Sequence, residues 1–195
     1  FWVSLADMMT LDFVIRITSI ITKVPFFQVA TAPSKYFTEE VRELTKNLKL
    51  LILPADTVTP DDLVAIVNGR VEAEGGCDVV VIDYDSNVKK KTDNMYMEGD
   101  AVYNAGFKIA RPQKGNFKVV FIASQPKIHF WEMEKLPKES AGESSRKQAI
   151  VDLMITIGRN YACKDHHAGI INIAKQRRGT EGVYSFYEVS NSGHF

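Results

Sequence analysis

Apolar residues along the chain alternate between two periods. Short apolar runs stand at Phe1–Leu5, Leu50–Leu53, Val79–Ile82, Val119–Ala123, Leu153–Ile157, Gly169–Ala174 and Val183–Val189. Each has the length of a strand. Helical spacing fills the intervals. From Asp7 to about Lys23, Met8, Leu11, Val14, Ile15, Ile17 and Ile21 recur on one face, and Pro25 closes the segment. Thr38-Glu39-Glu40-Val41 opens a second helix with acids in its first turn. Thr59-Pro60-Asp61-Asp62 opens a third, with threonine as N-cap and proline at the first helical position. Met95 to about Ala110 is a weaker helix holding Gly99 and Gly106. Strands alternating with helices predict an α/β domain with a mostly parallel sheet. Val79–Ile82 and Val119–Ala123 are unbroken apolar runs, as central strands buried on both faces are. Val183–Val189 reads as an edge strand, while 85–94 and 126–147 read as long polar or irregular connections.

Composition narrows this little. A length of 195 residues fits one domain, taken as 1–195. The opening Phe1-Trp2-Val3-Ser4-Leu5 reads as a buried strand, so the domain is expected to continue ahead of Phe1. Lys plus Arg equals Asp plus Glu at 24 each, so any basic surface must come from local clustering. Two distant cysteines, Cys77 and Cys163, make no disulfide framework and point to a reducing compartment. No apolar run approaches the ~20 residues that span a bilayer. Cys163, His166 and His167 crowd together, but no second ligand pair completes a zinc site, and the segment reads as a polar turn.

Three strand ends carry chemistry. Val79-Val80-Val81-Ile82 runs into Asp83-Tyr84, which puts a carboxylate where open α/β sheets bind ligands. Such an acid can hold Mg²⁺ against nucleotide phosphates, or simply cap the next turn. Val119–Ala123 runs into Ser124-Gln125, an amide able to sense a phosphate or to bond a neighbouring strand end. Ile170–Ala174 runs into Lys175-Gln176-Arg177-Arg178-Gly179, which is either a solvated basic hairpin or a cationic finger.

In this order the three segments, VVVIDY, VVFIASQ and INIAKQRRGTEG, resemble the helicase domain of the DnaB family of replicative DNA helicases. The late Lys-Gln-Arg-x-Gly turn is the most specific piece. The resemblance implies a RecA-like P-loop NTPase core, a mostly parallel sheet flanked by helices, with antiparallel C-terminal edge strands. It implies ATP-dependent 5′-to-3′ unwinding by a ring, a hexamer in this family, on single-stranded DNA in a bacterial or phage-infected cytoplasm, with a primase and a helicase loader as partners. The implied cofactors are ATP and Mg²⁺. Asp83 would hold the Mg²⁺, Gln125 would sense the γ-phosphate, and Lys175 and Arg177 would reach a neighbouring subunit's ATP. Asp7, in VSLADM, stands one position after the family's catalytic glutamate and is a candidate for that role or an N-cap. Arg16 matches a basic residue on the family's following helix.

One element is missing. No G-x-x-x-x-G-K-[ST] occurs, so the backbone cradle for phosphates is not in these residues. The basic loops supply the candidate DNA contacts: Lys89, Lys90 and Lys91 after the first strand end, and Lys127, Arg146 and Lys147 after the second. Phe130-Trp131 could stack on a base or anchor its loop. Two other assignments compete: a RecA- or KaiC-like ATPase, and a P-loop-less relative that binds DNA or a true helicase without catalysis.

Overall fold

The computed structural model describes residues 2–5, 10–89, 95–112, 115–140 and 146–187. Four parallel strands form one sheet in the order β2-β1-β3-β4: β1 Trp2–Ser4, β2 Leu50–Ile52, β3 Val79–Asp83 and β4 Val119–Ile122. Three antiparallel strands form a second: β5 Leu153–Gly158, β6 Ala168–Gln176 and β7 Gly182–Tyr187, with β6 in the middle. The α/β reading holds, and the C-terminal strands are a separate sheet.

Helices cover the parallel sheet. α1 is Thr10–Thr22, α2 Phe26–Thr31, α3 Pro33–Tyr36, α4 Glu39–Thr45, α5 Pro60–Ala73 and α6 Met95–Ala110. α5 starts where the sequence requires. Thr59 Oγ1 accepts from the Asp62 amide at 3.3 Å, and the Asp62 carboxylate accepts from the Thr59 amide at 3.1 Å. Its buried stripe, Leu63, Val67 and Val71, joins Val80 and Ile82 of β3 and Ile109 of α6 in one core. A Cβ on Gly106 would lie 2.7 Å from the Ile122 side chain, so glycine lets α6 pack close on β4. Arg16 stacks over the Phe26 ring at 5.4 Å, which ties α1 to α2.

Four short helices went unread in the sequence, α2 and α3 after Pro25 and two more beyond β4. α7, Arg146–Ile150, closes the irregular segment after β4, and α8, Tyr161–Asp165, replaces the polar turn between β5 and β6. α8 is a single capped turn: Asn160 Oδ1 accepts from the Cys163 amide at 2.8 Å. Too few apolar residues define either helix by periodicity. Among the described residues no helix is long and apolar enough to cross a membrane.

β4 and β5 run the same way beside each other without pairing. Gln125 and Pro126 after β4 share a cleft of about 430 Å³ with Ile157, Gly158 and Arg159 at the end of β5. Arg111 shares a second, of about 490 Å³, with Asp152 and Leu153 at the start of β5. Between these ends Val119 and Phe121 of β4 and Leu153, Ile155 and Ile157 of β5 are exposed. A slot therefore lies between two strand edges that have no ladder partner on that side among the described residues, and the exposed apolar residues stand on the strand faces beside it.

Candidate nucleotide and nucleic-acid site

β3 and β4 are in register, Ile82 opposite Ile122, so Asp83 and the Ser124-Gln125 pair emerge together at the C-terminal edge of the sheet. Partial burial pushes the Asp83 carboxyl above the ordinary carboxylate range, because a charge there loses hydration. A divalent cation would reverse that penalty, and Mg²⁺ typically takes one or two carboxylates plus phosphate oxygens. Asp83 suits that task. Gln125 is exposed and lines the cleft at the head of the slot with Trp131, Arg159 and Lys164.

Beneath this edge lies a buried network absent from the sequence reading. Asp85 Oδ2 accepts from Lys147 Nζ at 2.9 Å, Ser124 Oγ at 2.8 Å and Tyr103 Oη at 3.2 Å. The Asp85 amide also donates to the Ala123 carbonyl at 3.0 Å, locking the ends of β3 and β4 together. Burial, and then the charge of Asp85, push the Tyr103 hydroxyl well up, which keeps it a donor.

Lys175 and Arg177 lie at the other end of the slot. Lys175 pairs with Met154 beside the start of β5, and Arg177 lines the cleft with Arg111 and Arg178. Both side chains are held within the chain. Lys175 Nζ donates to the Gln148 carbonyl and, at 2.7 Å, to that of Val151. Arg177 donates to the Ala149 carbonyl at 3.1 Å and meets the Asp152 carboxylate at 2.7 Å. The structure thus brings Asp83 and Gln125 together, and Lys175 and Arg177 together, at opposite ends of the strands.

The candidate DNA contacts divide. Lys89 and Lys127 are exposed. Lys147 is 6% exposed and bound to Asp85, so the expectation of a channel-facing cation is corrected: its helix turns it into the core, where a carboxylate neutralises it. Asp7, Lys90 and Lys91 lie outside the described residues, as does the Arg146 side chain. Trp131 Nε1 donates to the Pro126 carbonyl at 2.8 Å, which anchors the loop, while its ring stays 56% exposed. No group of three or more His, Cys, Asp or Glu side chains able to hold a metal occurs among the described residues. Arg159 and Lys164 were missed. Arg159 follows a strand end, the signal that singled out Asp83 and Gln125, but Lys164 has no such mark.

A Cβ on Gly158 would lie 2.2 Å from the Glu134 carbonyl, so only glycine lets the loop after β4 cross the end of β5. Thr156 Oγ1 and Asn172 Nδ2 both donate to the Leu136 carbonyl, at 2.7 and 3.0 Å, and pin that loop to the second sheet.

No family model matches the chain, and no curated protein matches it. Solved structures do. A DnaB-like replicative helicase, studied with its interactions with primase, superposes with a TM-score of 0.77 at 17% identity over 98% of this chain and 48% of that one. A second solved structure, an ATPase domain, superposes with a TM-score of 0.79 at 16% identity, over 98% of this chain and 72% of its own. The chain spans about half the length of the first. The chain shares its fold with that DnaB-like replicative helicase and with that ATPase domain.

Proposed function

We propose that the chain is the larger part of the motor domain of a replicative DNA helicase, a ring that hydrolyses ATP and moves 5′ to 3′ on single-stranded DNA. The observation that carries this is the separation of the two functional pairs. Asp83 and Gln125 stand at one end of β3 and β4, and Lys175 and Arg177 near the start of β5. One chain cannot apply both to one phosphate group, whereas head-to-tail neighbours in a closed ring can. A hexamer, primase and loader follow from the likeness to helicases.

Asp83 would hold Mg²⁺, which when bound neutralises charge on the phosphates. Gln125 would bond the terminal phosphate, and its loss would be felt in the loop that Leu136 pins to β5 and β6. Arg177 would leave Asp152 for the neighbour's phosphate. Lys89 and Lys127, with Lys90, Lys91 and Arg146, would track the DNA backbone without reading sequence. Asp7 would act as the general base.

The phosphate cradle is a strand–loop–helix unit in such motors. Residues 1–195 contain no such motif, and among the described residues β4 and β5 each present an unpaired edge, with clefts between their ends. A strand seated there parallel to β4 would open beside Gln125. Reading the coding sequence ahead of Phe1 tests the proposal. A G-x-x-x-x-G-K-[ST] motif following an apolar strand supports it, provided the longer product hydrolyses ATP and Arg177→Ala abolishes this. A start codon there overturns the motor and favours a P-loop-less relative that binds DNA or another helicase.

A further inference from the structure

We infer that Asp85 and Lys147 are positioning residues, which fix the helix on which the two cations of the late turn are mounted. This rests on the roles proposed for Lys175 and Arg177, and it extends them to residues outside the nucleotide site.

Asp85 follows Asp83 by two positions, and Ser124, which donates to it, immediately precedes Gln125. Lys147 brings α7 to the same carboxylate oxygen from 62 residues away and lies over the Tyr103 ring at 5.3 Å. Both charged groups are 6% exposed, so neither can leave without stranding the other. Lys147 is the second residue of α7, and the carbonyls that follow it, two within the helix and one just past its end, are the ones that hold the cations. Gln148 and Val151 accept from Lys175, and Ala149 accepts from Arg177. These carbonyls have no partner inside a helix of five residues, and they are where a helix favours cations.

α7 is therefore a strut one to two turns long. One end is bolted beneath Asp83 and Gln125, and the other carries Lys175 and Arg177. The strand ends that face one nucleotide and the cations offered to the next subunit are thereby held as one body. A well-packed apolar pair could stabilise the chain as well as a buried ion pair does, but it would not impose a fixed direction on α7.

The test compares Lys147→Met, Asp85→Asn and the double variant, with Val67→Ala in α5 as a control of lowered stability. Urea unfolding gives stability, and competitive acylation read by mass spectrometry gives the reactivity of the Lys175 amine. Each single change strands a buried charge, whereas the double change strands none. If the pair positions α7, the double variant recovers stability while Lys175 is acylated roughly tenfold faster than in the parent chain, the change expected on losing one charge-assisted hydrogen bond. Val67→Ala should leave Lys175 protected. A stable double variant whose Lys175 reacts at the parent rate would overturn the proposal. Neither readout involves ATP or DNA, so failure here is separate from failure of the helicase reading.

Discussion

Arg177 meets the Asp152 carboxylate at 2.7 Å, and Arg111 approaches the same carboxylate at 3.7 Å. All three side chains are about half exposed or more. Solvent screens such contacts, and exposed ion pairs contribute at most about 1 kcal/mol. Arg177 can therefore exchange Asp152 for a phosphate at little cost. Asp152→Asn is expected to shift the thermal midpoint by no more than roughly 4 °C. A larger loss by calorimetry would make Arg177 a structural residue instead of a finger.

The pair at 2.9 Å between Lys147 and Asp85 behaves oppositely, because both partners are buried. Lys147→Met or Asp85→Asn alone should cost about 3–5 kcal/mol in urea unfolding, since each leaves an uncompensated charge. The double variant should cost much less. Additive losses would show that the two charges do not depend on each other.

Asp83 gives a pH signature. Burial raises its carboxyl pKa in the folded chain, so the folded state binds the proton more tightly than the unfolded state. The resulting destabilisation is absent below the unfolded value, grows as pH rises through the raised one, and is complete at neutral pH. Asp83→Asn is expected to raise the thermal midpoint at pH 7 and to leave it unchanged near pH ~3. A lower midpoint at pH 7 would mean that the carboxylate is held by favourable partners and is not reserved for a cation.

What the sequence reveals here, and what it hides, follows from the range of each interaction. Val79–Asp83 and Val119–Gln125 are legible because an unbroken apolar run ends in polar residues, but the two-sided burial such a run predicts does not hold, since Val79, Val119 and Phe121 are exposed on one face. The cap of α5 is legible because Thr59 and Asp62 are three residues apart. The Asp85–Lys147 pair is not legible, since its partners are 62 residues apart and each resembles an ordinary loop charge. For that reason Lys147 reads as a DNA contact in sequence and is a core cation in the fold. α7 and α8 are set by caps and tertiary contacts, not by an apolar period. The opposed positions of Gln125 and Arg177 follow from how two sheets sit beside each other, which no local pattern encodes.

The most direct test of the helicase motor is binding of fluorescent single-stranded DNA across a salt series, comparing the parent chain with Lys89, Lys90 and Lys91 changed together to Ala. The account predicts binding that is indifferent to base sequence, weakens as salt rises, and loses both affinity and salt slope in the triple variant, by about 0.7 in the slope for each phosphate contact removed. Lys147→Met should leave that slope unchanged, since the Lys147 ammonium is bound to Asp85. Binding that fails at low salt, or that survives the triple change undiminished, would contradict it.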